Sequence, residues 1–312
     1  MLCRMPTKKI FVACCMSILV VAFLELPGFH LTPHVHAATT YPVQVFNDIS
    51  YGPLTDEVLD ECLPVGAPPS EPGIIMIHGG GWIGGDKAKY EDLCMSYAAQ
   101  GYIAATINYR LAPLYQWPDQ IGDVQLAVRY LRMNAAGLGL DPTRICALGS
   151  SAGGHLALML DELQTIHPAD VASIYSDVSP TVQCVVDEFG PTDLSQLFEE
   201  NPSVQLNIYD LLDDQVPPAP IYPDASPLDN IAAQSGPALI IQGTRDQTVL
   251  PDQSQELYQA LLNDGISAQY VSYDGGHGFS GLPPDQIDAI KAQINTFLDG
   301  VELPGHTLHP RR

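Results

Sequence analysis

The chain is poor in basic residues. Lysine and arginine together number 13 against 36 aspartates and glutamates, for a formal net charge of −23. Such a surface has no electrostatic hold on nucleic acid or on an anionic membrane, where basic side chains supply most of the affinity. The acidic balance fits a well-solvated exported protein, and equally a protein from a salty or acidic habitat.

Long apolar runs are scarce too. The one present spans Ile10 to Leu24, after the positive residues Arg4, Lys8 and Lys9. It is short for a membrane helix. A positive start, an apolar middle and the small-residue pattern Val35-His36-Ala37 are the parts of an export signal. Residues 1–37 are therefore expected to be a secretion signal, with an uncleaved anchor as the alternative. The mature chain would start near Ala38, be secreted, and have no stable membrane insertion.

Cysteine is present without metal-ligand spacing. Of 7 cysteines, Cys3, Cys14 and Cys15 lie in the signal, leaving Cys62, Cys94, Cys146 and Cys184. Their positions exclude a zinc site, and no metal or cofactor is expected. Export permits disulfides. Yet Cys94 sits in a helical pattern, and Cys146 and Cys184 sit in apolar strand-like runs. They are expected to be free, buried thiols acting as small hydrophobes.

Buried-strand and helix patterns alternate through most of the chain. Val43–Asn47 and Glu57–Leu63 read as an antiparallel pair. Continuous apolar runs at 73–78, 102–108, 145–148, 182–187 and 237–243 have the composition of strands covered on both faces. A last strand is expected at 268–273. Helical periodicity marks 88–100, 119–134, 155–160, 254–263 and 285–298. The class is α/β: a mostly parallel central sheet of about eight strands, the first two antiparallel, flanked by helices on both faces. Residues 195–235 break the alternation with Pro, Asp and Tyr, and read as a loop-and-short-helix, cap-like excursion. No linker divides residues 38–312, so one catalytic domain is expected.

The chemistry gathers at Gly149-Ser150-Ser151-Ala152-Gly153, a G-x-S-x-G turn with a strand before it and a helix after it. A sharp strand-to-helix turn strains the central residue, and glycines on either side remove the side chains that would clash. Ser151 is the candidate nucleophile. A hydroxyl needs a base, and the base needs an orienting group. His277 follows the last strand between glycines and is the candidate base. Asp246 follows the preceding strand and is the candidate acid, giving the chain order Ser, Asp, His. Asp187 and Asp193, after an earlier strand, are rivals. The run His78-Gly79-Gly80-Gly81-Trp82 offers bare backbone for an oxyanion hole from Gly80, Gly81 and Ala152, with the Trp82 amide a further donor. It lacks the Lys-Ser/Thr of a phosphate loop. Trp82, Tyr109 and Phe279 are candidate walls of an acyl or aryl pocket.

His78-Gly-Gly-Gly-Trp82, Asn108-Tyr-Arg-Leu-Ala-Pro113, Gly149-Ser-Ser-Ala-Gly153, Gly243-Thr-Arg-Asp246 and His277-Gly-Phe279 together resemble the α/β-hydrolase fold. They are most similar to the hormone-sensitive-lipase-like carboxylesterases and the feruloyl-esterase-type hydrolases. The resemblance runs from about Gly73 to Phe279. It implies a serine carboxylic ester hydrolase acting through an acyl-enzyme on small-molecule esters, short-chain or aryl, of feruloyl or acetyl type. The long N-terminal helical cap of the lipase-like branch is missing, and two strands stand in its place, which favours the feruloyl-esterase side. An amidase, formamidase or peptidase on the same scaffold is the alternative, because the His-Gly-Gly-x-Trp run is similar to that of kynurenine-formamidase-like proteins too.

Overall fold

The computed structural model describes residues 40–162, 174–213 and 215–302. The expected signal and its cleavage site lie outside the described residues. Two strands open the described part, β1 (Val43–Ser50) and β2 (Val58–Pro64), paired antiparallel as expected. They are followed by β3 (Glu71–Ile77), in which every residue is buried. A 3-10 turn at Lys87–Tyr90 leads into α1 (Glu91–Gln100). The single helix expected over 88–100 starts as this turn because the Asp86 side chain accepts from the Ala88 N–H at 2.8 Å, a short-range cap that tightens the first turn. Gly101, with φ 107°, ends it.

β4 (Ile103–Ile107), α2 (Asp119–Met133), the single turn α3 (Ala135–Leu138), β5 (Leu140–Ser150) and α4 (Ala152–Glu162) follow. β6 (Cys184–Glu188) precedes the excursion, which consists of α5 (Leu194–Glu200), α6 (Gln205–Leu211), α7 (Ile221–Asp224) and a 3-10 turn at Pro227–Asp229. The alternation returns with β7 (Ala238–Gly243), α8 (Pro251–Asn263), β8 (Ala268–Tyr273) and α9 (Pro284–Glu302).

The sheet has 8 strands in the order β1-β2-β4-β3-β5-β6-β7-β8. β2 runs antiparallel to both β1 and β4, and every later pairing is parallel. The two-residue period of a strand divides the core. Ile75, Ile77, Ala105, Ile107, Ala147 and Val185 pack with α2, α4 and α8 on one face. Ile74, Met76, Ala104, Leu148, Val186 and Ile241 pack with α1 and α9 on the other. Both faces are covered, so the strands read as continuous apolar runs instead of alternating ones. The described residues form one compact unit.

The cysteines correct the sequence reading. Cys62 on β2 is bonded to Cys94 on α1, and Cys146 on β5 to Cys184 on β6. Apolar surroundings pointed to free thiols. However, Cys146 and Cys184 are register partners on adjacent strands, with Cα atoms 4.7 Å apart, and Cys62 and Cys94 face each other across the α1 side of the sheet. Each pair is within disulfide reach, a relation that only the tertiary arrangement reveals.

Candidate active site

β5 ends at Ser150 and α4 begins at Ala152, so Ser151 is the whole turn. Its φ is 56°, left-handed for a non-glycine residue, a strain that the surroundings must hold. They do so by leaving no room for side chains. A Cβ on Gly149 would lie 2.1 Å from the Gly153 carbonyl oxygen, and a Cβ on Gly153 would lie 2.0 Å from that of Ile77. The Ser151 N–H donates to the Glu188 carbonyl at 2.8 Å, fixing the turn to the end of β6. The N-terminus of α4 sits directly behind the hydroxyl and favours negative charge there.

His277 follows β8, in a 3-10 turn at His277–Phe279. Its Nε2 is 2.9 Å from Ser151 Oγ and its Nδ1 is 2.7 Å from Asp246 Oδ2. A carboxylate oxygen can only accept, so Nδ1 carries the proton and Nε2 is free to accept from the serine hydroxyl. Asp246 is fully buried. Its Oδ1 accepts from the Thr248 and Val249 N–H groups at 2.8 and 3.1 Å, and the Gln242 amide reaches Oδ2 at 3.3 Å. Those bonds stop the carboxylate from rotating and keep one oxygen on the imidazole. The rival acids are occupied elsewhere: Asp187 Oδ1 accepts from the Gly190 N–H, and Asp193 caps α5 through the Gln196 N–H.

Ser151 and His277 open on a cavity of about 510 Å³, with Asp246 buried behind the imidazole. Gly79, Gly80, Gly81 and Ala152 line it beside Ser151 and His277. Gly80 and Gly81 have φ of 135° and 61°, conformations that glycine adopts freely, and the loop closes on itself as the Gly84 N–H donates to the Gly80 carbonyl at 3.1 Å. Phe189, Leu197, Val204, Val249 and Phe279 give the cavity an apolar wall. Leu197, Val204 and Asn207 come from the 195–235 excursion, which therefore covers the site.

The aromatic candidates separate. Phe279 lines the cavity, edge-on to Phe189 at 5.2 Å between ring centroids. Trp82 lines it as well but is almost wholly buried, its indole N–H donating to His155. Tyr109 corrects the sequence reading, because it is not among the cavity-lining residues. It stacks on His78 at 4.4 Å and its hydroxyl donates to the His78 carbonyl, bracing the glycine loop from behind. Its position after a buried strand carried no sign of which way the ring would turn.

Sequence reasoning missed Glu188, Asn207 and His155. Glu188 lies in the cavity wall, and burial pushes its carboxyl up to about 8, with the Asp187 charge adding to the effect. Near neutrality it is largely protonated, so this part of the wall is polar but uncharged. Its only signal was an acid at a strand end. Asn207, whose Nδ2 lies 2.0 Å from where a Gly81 Cβ would be, had none. Among the described residues no group of His, Cys, Asp and Glu could hold a metal ion, and no helix is long and apolar enough to cross a membrane.

Fold and site geometry together define an α/β-hydrolase of the carboxylesterase type. The sequence profile of the BD-FAE family matches residues 59–261, and the chain belongs to that family. It is 29% identical over 295 residues to Esterase LipC of Mycobacterium tuberculosis, covering 89% of this chain and 71% of that one. It is 30% identical over 208 residues to the probable carboxylic ester hydrolase LipM of the same organism, covering 65% of this chain and 47% of LipM. The chain thus spans less than half of LipM. Among solved structures, a truncated form of carbohydrate esterase from gut microbiota superposes with a TM-score of 0.72 at 26% identity, over 84% of this chain and 98% of that one.

Proposed function

We propose that this chain is a secreted serine ester hydrolase that cleaves short-chain or aryl esters, of acetyl or feruloyl type, through an acyl-enzyme on Ser151. The observation that carries the reading is the continuous relay from the Ser151 hydroxyl through His277 to Asp246, at 2.9 and 2.7 Å.

The reaction follows from the donors and acceptors present. His277 Nε2 takes the hydroxyl proton as Ser151 Oγ bonds to the ester carbonyl carbon, and the carbonyl π-pair moves onto oxygen. That oxyanion is held by the Ala152 N–H and by the N–H groups of Gly80 and Gly81. Asp246 stabilises the imidazolium and keeps its tautomer. The tetrahedral intermediate collapses, the alkoxide leaves with the proton from His277, and the acyl group stays on Ser151. Water, deprotonated by His277, repeats the sequence and releases the carboxylic acid.

The apolar wall of Phe189, Val249 and Phe279 supports a compact or aromatic acyl group. The likeness to a carbohydrate esterase supports an alcohol partner of polyol character. The disulfides support export, since such bonds persist in oxidising compartments, and so does the signal pattern of residues 1–37. Replacing Ser151 by Ala is expected to abolish turnover of soluble p-nitrophenyl acetate and butyrate while leaving the melting temperature unchanged. Retained turnover overturns the assignment. Parallel assays on an aryl amide and an N-formyl substrate separate esterase from amidase.

A further inference from the structure

His155 lies on α4, one turn beyond Ser151, and is fully buried. It takes no part in the relay. Its Nδ1 accepts from the Trp82 indole N–H at 3.2 Å, and its Nε2 donates to the Ala225 carbonyl at 2.7 Å. An indole N–H can only donate and a carbonyl can only accept, so one neutral tautomer satisfies both bonds. Burial lowers the imidazole to about 4, so it is neutral around pH 7.

These bonds join three separate parts of the chain. Trp82 directly follows Gly79-Gly80-Gly81 and has a left-handed φ of 61°. Its carbonyl accepts from the Ala112 N–H at 2.9 Å, so backbone and side chain are both tied. Ala225 lies between α7 and the 3-10 turn of the excursion. Trp117 packs edge-on against the same imidazole at 5.8 Å, and its indole N–H donates to Asp224 at 2.8 Å. The chain's 2 tryptophans thus flank one histidine: Trp82 lines the cavity, and Trp117 is tied to α7 of the excursion.

We infer that His155 is a positioning residue: by holding the Trp82 indole against the covering segment, it fixes the backbone of Gly80 and Gly81 where the oxyanion forms. The inference rests on the oxyanion role proposed above for those two glycines. A glycine run has little intrinsic preference for one conformation, so its donors need an outside anchor. Trp82 is the first side chain after the run that can supply one. An oxyanion donor acts only on the charge that develops in the transition state. Loosening the anchor should therefore lower kcat and leave KM nearly unchanged.

The test uses the full mature chain and a soluble p-nitrophenyl ester. Trp82→Phe removes the N–H and keeps an aromatic ring. His155→Leu removes both bonds, and His155→Asn puts a side-chain oxygen near the place of Nδ1. Trp82→Phe and His155→Leu are each expected to lower kcat about 10- to 100-fold, as small misplacements do, with KM within about 2-fold. The double variant should be no slower than the slower single one, and His155→Asn should keep more of kcat than His155→Leu. Trp82→Phe with full kcat, a loss expressed in KM alone, or losses that multiply in the double variant each overturn the inference. Should the His155 variants fail to fold, Trp82→Phe decides alone. Absence of ester turnover in the unaltered protein overturns the esterase reading, and this inference with it. Full activity in Trp82→Phe overturns the inference only.

Discussion

His277 Nε2 stands 2.9 Å from Ser151 Oγ, although 126 residues separate them in the chain. Strand order makes this possible. β5 and β8 are not neighbours, but every strand from β3 to β8 runs the same way, so their carboxyl ends open on one edge. Ser151 leaves that edge from β5, Asp246 from β7 and His277 from β8. Asp246→Asn should leave the fold intact, because the amide oxygen can still accept from Thr248 and Val249. Its amide nitrogen would then face His277 and favour the wrong tautomer. A loss of kcat of about four orders of magnitude is expected, measured on a short-chain p-nitrophenyl ester at fixed pH. A loss under about tenfold would mean that another group orients the imidazole.

Much of this edge was legible in the sequence, because local geometry dictates it. The G-x-S-x-G turn needs bare neighbours, and a glycine on each side of Ser151 announces them. The buried parallel strands announce themselves as apolar runs. What escaped was set by tertiary register. Cys146 and Cys184 are partners only because β5 and β6 are adjacent with those residues in line. Tyr109 turns away from the cavity because His78 offers a stacking surface and a carbonyl. His155 reads as a helix-start residue until the excursion brings Ala225 to it. In each case the partner is distant in sequence, and no period or spacing encodes it.

The disulfides bear on stability directly. The Cys146–Cys184 bond closes a separation of 38 residues and lies on the strand that presents Ser151. A cross-link over such a loop restricts the unfolded chain, and its removal costs about 2–4 kcal/mol. Cys146→Ala with Cys184→Ala should lower the denaturant midpoint by a corresponding amount, read by chemical unfolding against the unaltered protein. An unchanged midpoint, or quantitative thiol titration of the native protein, would show that the bond is not formed.

Gly153 offers a sharper test of the turn. A methyl group there would meet the Ile77 carbonyl oxygen at 2.0 Å, and the next closest atoms are also backbone. Nothing flexible can yield, so α4 must shift away from β3 and carry Ser151 with it. Gly153→Ala is expected to cost more than about 2 kcal/mol, as overpacking of a rigid site does. It should also reduce fluorophosphonate labelling of Ser151 by at least about tenfold, since small misplacements are costly in catalysis. Gly137→Ala, where no atom lies within 4 Å of the added methyl, is the control and should be nearly neutral. Equal behaviour of the two variants would refute the packing account of the elbow.

Buried carboxyls set the pH dependence of stability. Burial raises Asp161 and Asp187 to about 7 and Glu162 and Glu188 to about 8. In the unfolded chain the same groups titrate near 4. Groups whose pKa is raised by folding bind protons more tightly in the native state. Their contribution is fully present below about pH 4 and is lost as pH rises toward 8. Asp141 acts in the opposite sense. Partial desolvation opposes the shift, but hydrogen bonds from Thr143 and Arg144 hold it at about 2, so its effect is confined to pH below about 4. The net negative charge adds to the trend, since protonation relieves self-repulsion. The melting temperature should therefore fall steadily from pH 5 to pH 8. Asp187 supplies the specific check, because its Oδ2 is buried with no hydrogen-bond partner. Asp187→Asn keeps the acceptor for the Gly190 N–H and removes the ionisation, so it should flatten the slope between pH 5 and 8 and raise stability most at the alkaline end. A melting temperature that rises over this interval, or a slope unaltered in Asp187→Asn, would show that these carboxyls are ionised in the folded protein.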